Sequence, residues 1–256
     1  LNKKNLNVKK YCNTPCLNDI FSGTITPDTY GNLWLASTDG LYLLDTLNYS
    51  FTTFKHNNND PASLSTDKLQ YLYLDTQGRM WIGTVDNGLM LMYIKDNDPF
   101  QPVFIPIVNK LNDPRSINKG AVRSILDDGE GKLWLGIENQ GLSILDLEGV
   151  SKGIFSFDHY LNNRNDLTSL SNNSIYSLIK DNQGTIWIGT YGGGVNYFNK
   201  LLFQFDHYLN TSENTIINTI TKIDNQFWVG TEGGLLILDE DLNLKKVFRH
   251  NPNDIL

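Results

Sequence analysis

Apolar and polar positions alternate along this chain in short runs broken by glycine-rich turns. Ser174-Ile-Tyr-Ser-Leu-Ile-Lys-Asp181 is followed by Asn-Gln-Gly, then by Thr185-Ile-Trp-Ile-Gly-Thr-Tyr191, then by Gly192-Gly-Gly194 and Val195-Asn-Tyr-Phe198. Strand, short turn, strand, turn, strand is the pattern of an antiparallel meander. No window of comparable length carries sustained helical periodicity. The pattern predicts strands throughout.

The same pattern recurs five times, each copy headed by a tryptophan: Trp34, Trp81, Trp134, Trp187 and Trp228. The phrase is clearest as Trp-Ile-Gly-Thr at 81–84 and 187–190 and Trp-Val-Gly-Thr at 228–231, and looser at 134–137 and 34–37. Successive tryptophans stand 47, 53, 53 and 41 residues apart, a period that marks propeller blades or helical arrays. The strand pattern selects blades. Six residues before the first four tryptophans stand Asp28, Asp75, Asp128 and Asp181, with Gly31, Gly78, Gly131 and Gly184 three residues after each Asp. Asp-x-x-Gly between apolar runs predicts a turn, because Asp accepts backbone N–H groups and Gly permits positive φ. A second turn closes at Gly40, Gly88, Gly141, Gly194 and Gly234.

A fourth strand is marked by Phe-x-His at Phe54-Lys-His56, Phe157-Asp-His159, Phe205-Asp-His207 and Phe248-Arg-His250, with Phe104-Ile-Pro106 taking that place in one copy. These are all four histidines, and the phrase assigns them one repeating slot, which reads as scaffold and not as a catalytic or zinc-binding group. The connection that follows holds Asp60, Asp113 and Asp166, each 21 residues before the next Trp, so its length is constant. The expectation is an all-β chain, a β-propeller of four-stranded antiparallel blades. Five blades are centred on the five tryptophans and form one partial domain over 1–256, part of a seven-bladed ring; propellers carry about four to eight blades. The run to Leu256 is expected to be cut in the loop entering another blade.

Composition narrows the function. Net charge is −7 with no basic tract beyond Lys3-Lys4 and Lys9-Lys10, which argues against nucleic acid as a partner. No apolar stretch reaches the ~18–20 residues that cross a membrane as a helix; the residues from Leu1 are not expected to be a signal peptide, and the start at Leu1 is expected to be trimmed rather than a native initiator. Cys12 and Cys16, the only cysteines, are too few for a structural zinc and are either a disulfide or two free thiols. No metal or cofactor is expected. Gly192-Gly-Gly194 precedes no Lys-Ser/Thr and no helix, so it reads as a turn and not a phosphate loop. No Ser-His-Asp or Cys-His set can be assembled, and no catalytic residue is assigned.

The stretches Asp181-Asn-Gln-Gly-Thr-Ile-Trp-Ile-Gly-Thr-Tyr-Gly-Gly-Gly194 and Asp75-Thr-Gln-Gly-Arg-Met-Trp-Ile-Gly-Thr84, with Ser-Leu-Ser-Asn-Asn-Ser-Ile at 169–175, resemble the two-component regulator propeller repeat. The resemblance covers the chain from about residue 20. It implies a periplasmic sensor region of a Bacteroidetes-type hybrid two-component system, sensing breakdown products of complex glycans. It implies a full-length protein that is a homodimeric histidine kinase and response regulator, with the membrane reached only through a helix outside these residues. The departures are Ala36, Ser37, Ile137 and the short turn Asp224-Asn-Gln226. Two other readings stand beside it: an enzyme of the streptogramin-lyase kind, whose repeats also read Asp-x-x-Gly-x-[Ile/Leu]-Trp, and a scaffold that only dimerises. Sialidase-type propellers fit less well, since their Asp and Gly stand two apart and the five arginines here are scattered.

Positions constant from blade to blade serve the scaffold, so variable slots at the channel mouth are the candidates for a ligand. Eleven residues before Trp stand Gln70, Arg123 and Tyr176, with Asn218 equivalent once the short turn is allowed for; four residues after Trp stand Thr38, Val85, Glu138, Tyr191 and Glu232. A sugar needs a planar apolar face and paired polar groups. Tyr176 and Tyr191 are candidates for the first role, Arg123, Glu138 and Glu232 for the second.

Overall fold

The computed structural model describes residues 22–94, 98–200, the backbone of 204–208, and 216–249. Cys12, Cys16, the His207 side chain, His250 and the chain end lie outside the described residues. Among the described residues, twenty strands form five four-stranded antiparallel sheets, each in sequence order. Blade 1 is β1 Ser22–Pro27, β2 Leu33–Ser37, β3 Gly40–Leu44 and β4 Phe51–Phe54. Blade 2 is β5 Leu69–Leu74, β6 Met80–Thr84, β7 Leu89–Ile94 and β8 Pro102–Ile107. Blade 3 is β9 Val122–Asp127, β10 Lys132–Ile137, β11 Gly141–Asp146 and β12 Phe157–Tyr160. Blade 4 is β13 Ile175–Lys180, β14 Ile186–Thr190, β15 Val195–Asn199 and β16 Gln204–Tyr208. Blade 5 is β17 Ile217–Ile223, β18 Gln226–Thr231, β19 Gly234–Leu238 and β20 Leu244–Phe248. The first strand of each blade packs on the first strand of the next, in the order β1, β5, β9, β13, β17, and β17 makes no comparable contact with β1.

Each tryptophan lies on the second strand of its blade, and the core lies between blades rather than within them. Trp34 packs with Leu69, Leu72 and Ile82 of blade 2, Trp81 with Val122, Leu133 and Leu135 of blade 3, Trp134 with Ile175 and Ile188 of blade 4, and Trp187 with Ile217 and Phe227 of blade 5. Each wedge removes roughly 150–250 Å² of aromatic surface from water. The glycine of Trp-Ile-Gly-Thr makes this possible: a Cβ on Gly83, Gly136 or Gly189 would come within 2.7–2.9 Å of Val122, Ile175 or Ile217 on the next innermost strand.

The Asp-x-x-Gly turn does more than close a hairpin. One carboxylate oxygen of Asp75 accepts the backbone amides of Gln77 and Arg79, and the other accepts the indole N–H of Trp81 at 2.8 Å. The same clamp joins Asp28 to Trp34 (3.0 Å), Asp128 to Trp134 (3.3 Å) and Asp181 to Trp187 (2.9 Å). Blade 5 lacks it. Its two-residue turn at Asp224 and Asn225 places Lys222 six residues before Trp228, and the buried indole nitrogen of Trp228 has no partner. Four of the five tryptophans are buried, at 0–7 % exposure, and Trp228 is half-buried.

The single histidine slot is also corrected. Phe54 pairs with Leu41 and Phe248 with Leu235, whereas Phe157 pairs with Leu145 and Phe205 with Phe198. The phrase therefore sits at a different register in different blades. His159 lies within its strand opposite Ser143, and His56 lies beyond the end of β4. Both described histidines nonetheless brace the scaffold. His159 Nε2 donates to the Ser116 carbonyl (3.0 Å) while Nδ1 meets the Ser143 hydroxyl (2.8 Å), and His56 Nδ1 donates to the Leu64 carbonyl (2.5 Å).

The constant connections are 55–68, 108–121 and 161–174. In each, a serine hydroxyl accepts an upstream amide (Asn57 to Ser63, Lys110 to Ser116, Asn163 to Ser169), and the following residue, Leu64, Ile117 or Leu170, is buried between blades. In blade 4, Asn196 accepts the Ser171 amide (2.8 Å) and donates to its hydroxyl (2.7 Å), while blade 2 has Met90 there and leaves the Ser65 hydroxyl buried without a partner. Asn196→Leu is expected to cost about 1–3 kcal/mol by orphaning both Ser171 groups, and Ser65→Ala less than ~0.5 kcal/mol. Urea unfolding of the two variants checks the contrast.

Candidate functional site

Every innermost strand breaks register once, at the same place. The slips fall between Ser22 and Ile25, Leu69 and Tyr71, Val122 and Ser124, Ile175 and Ser177, and Ile217 and Thr219. A bulge leaves one residue out of the ladder and re-aims its side chain. The residues at the last four slips are Gln70, Arg123, Tyr176 and Asn218, the very slot that varies in sequence; the first slip holds Gly23, whose Cβ would strike the Gln70 carbonyl oxygen at 2.0 Å. The bulges lie where the innermost strands begin, beside the turns that follow the second strands. Those turns are anchored alike: the amides of Val85, Glu138, Tyr191 and Glu232 donate to the carbonyls of Lys68, Ala121, Ser174 and Ile216.

Four of the five sequence candidates meet there. Arg123 donates through Nε (3.1 Å) and Nη2 (2.7 Å) to Glu138 Oε2, and through Nη1 to Gln70 Oε1 (3.1 Å). The Tyr176 hydroxyl donates to Glu138 Oε1 (3.1 Å). The Arg123 guanidinium lies 5.1 Å from the Tyr176 ring centre, and the Tyr176 and Tyr191 rings are 5.7 Å apart at 36°. The arc therefore runs Gln70, Arg123, Glu138, Tyr176, Tyr191 and ties blades 2, 3 and 4 together. The Arg123 and Glu138 side chains are 26 % and 30 % exposed, and Tyr191 is 48 % exposed. Burial raises the Tyr176 hydroxyl above its ordinary pKa, and the bond to Glu138 raises it further, so it stays a donor. Glu232 stands apart: it is exposed on the blade 5 turn and shares no hydrogen bond with the other four among the described residues.

Blade 3 departs from the repeat where it holds Glu138. Thr84 and Thr190 close their turns by donating to the carbonyls of Gly88 and Gly194. Ile137 cannot do this, and the turn is instead moored to blade 4, with the Asn139 amide donating to Ser174 Oγ (3.0 Å) and that hydroxyl donating to Asn139 Oδ1 (3.0 Å). The substitution that looks like drift in sequence thus accompanies an inter-blade mooring next to the site. Gln70 was visible as a member of the slot, but nothing in the chain marks it as the partner of Arg123, 53 residues away.

The Two component regulator propeller model matches residues 63–86 and 169–192, each running from a blade connection through the Trp strand. The chain carries two-component regulator propeller repeats. Among solved structures, it is similar to the extracellular domain assigned to a hybrid two-component system from B. thetaiotaomicron, at 25% identity and TM-score 0.72 over 91% of this chain and 29% of that one. The chain thus spans less than a third of that protein's resolved length. PorZ, a surface component of the type-IX secretion system of Porphyromonas gingivalis, shares the fold at 15% identity and TM-score 0.60, over 89% of this chain and 33% of that chain. Virginiamycin B lyase from Staphylococcus aureus shares it at 12% identity and TM-score 0.58, over 86% and 67%. No curated protein matches the sequence. These repeats, and the extracellular domain of a hybrid two-component system among the similar structures, support a propeller sensor region. Among the described residues no helix is long and apolar enough to cross a membrane, and no group of His, Cys, Asp or Glu is placed to hold a metal ion.

Proposed function

We propose that this chain is the ligand-sensing propeller of a periplasmic sensor in a hybrid two-component system, and that it binds glycan breakdown products without turning them over. The observation that carries this reading is the arc at the start of the innermost strands. It joins variable residues of three blades and leaves the half-exposed Tyr191 ring 5.7 Å from that of Tyr176, whose hydroxyl is fixed on the Arg123–Glu138 pair. A sugar ring stacks on such an aromatic face while its hydroxyls pair with bidentate polar groups. The repeats and the extracellular neighbour support the sensor role. In the same reading the five blades belong to a larger ring in a homodimeric full-length kinase. Signal passes as a change in the relative position of propellers or protomers, because packed blades are too stiff to transmit much internally.

Calorimetry against a panel of oligosaccharides tests this. Tyr191→Ala is expected to weaken the binding of whichever glycan the protein takes by about tenfold, ~1.4 kcal/mol, with the melting temperature nearly unchanged. Unchanged affinity in that variant would remove the site from the arc. Formation of a product from a glycan or a lactone would replace the sensor reading with the lyase one.

A further inference from the structure

We propose that the arc selects uncharged ligands and rejects anionic ones, with Glu138 as the residue that sets this selectivity. The inference rests on the arc being the binding site. Arg123 is the cation of the arc, and an acidic sugar, a sulfate ester or a phosphate would have to bind through it. Its charge is already matched. Three of its N–H groups are committed, two to Glu138 Oε2 and one to Gln70 Oε1, and its flat face lies over the Tyr176 ring. Glu138 is held from the other side by the Tyr176 hydroxyl and through its backbone amide by Ala121. It cannot easily swing away.

An anion taking Arg123 would therefore displace a carboxylate that stays tethered beside it. Two like charges in a partly buried setting repel strongly, and the orphaned carboxylate would lose its only charged partner in the arc. The net charge of −7 adds to the penalty at longer range. An uncharged ring meets no such cost. It stacks on Tyr191 and donates hydroxyls to the free lone pairs of Glu138 and Gln70 while every bond of the arc stays made. The ligand class that fits is a neutral ring bearing hydroxyl donors.

Glu138→Gln keeps the acceptor for Tyr176 and the side-chain volume but strips the charge, leaving Arg123 unmatched. The Arg123 Nε–H signal, followed by NMR, reports on the site directly, with sodium glucuronate and inorganic sulfate as anionic probes. The native protein is expected to show no saturable shift with either probe. Glu138→Gln is expected to bind glucuronate about tenfold or more tightly than the native protein, with affinity falling as salt is raised. Glu138→Ala, which also removes the charge, is the companion variant and must show the same gain. Saturable glucuronate binding at Arg123 in the native protein overturns the proposal, and so does absence of any gain in the folded variants. Failure of the underlying site reading looks different: neutral glycans would bind the protein while leaving the Arg123 and Tyr191 signals unmoved.

Discussion

Asp75→Ala is expected to destabilise the protein by about 3–5 kcal/mol in urea unfolding, the range for removing one partner of a buried ion pair. The Asp75 side chain is fully buried and accepts four hydrogen bonds: from the amides of Gln77 and Arg79, from Arg79 Nε at 2.6 Å and from the Trp81 indole. Removing the carboxylate leaves an indole N–H and an almost buried guanidinium without acceptors, and Arg79 Nη2 already has none. Asp75→Asn keeps an acceptor and loses the charge, so its cost should be smaller. The order of the two variants separates the clamp from simple turn propensity, because Asn is as good a turn residue as Asp. A loss below about 1 kcal/mol for Asp75→Ala would show that the clamp contributes little and that the Asp-x-x-Gly phrase serves the turn alone.

Trp81→Ala and Trp228→Ala are expected to diverge although the two residues head the same phrase. Trp81 is wholly buried between blades 2 and 3 and should cost about 3–5 kcal/mol on truncation. Trp228 is half-buried, its indole N–H is unpaired, and no further blade packs on it among the described residues. Its truncation should cost about 1–2 kcal/mol, since less area is lost and no hydrogen bond is broken. Equal losses in the two variants would mean that Trp228 is as well anchored as Trp81, and would overturn the account of blade 5.

The repeat made the architecture legible because its signals are local. A turn needs Asp and Gly at fixed spacing, a strand needs alternation, and both are satisfied within about ten residues. The blade connections were legible for the same reason: Asp60, Asp113 and Asp166 share one spacing and one set of hydrogen bonds. The histidines show the limit. Phe-x-His repeats in the chain, yet strand register depends on the turn before it, and β12 and β16 pair differently from β4 and β20. A phrase shared by two strands does not establish that they hang at the same height.

The candidate site was legible only in part. Variation at two slots pointed to Arg123, Glu138, Tyr176 and Tyr191, and the structure brings these four together, whereas Glu232 followed the same rule and stands apart on blade 5. The sequence by itself determined the strands, their turns, the number of tryptophan-headed blades and the positions free to vary, because each depends on contacts within one repeat. Only the tertiary structure decided that Gln70, Arg123 and Tyr176 sit on bulges and that Arg123 spends its charge on Glu138. The physical reason is that these facts live between blades or in strand register, where residues 15 to 53 positions apart meet at distances near 3 Å that no local pattern encodes.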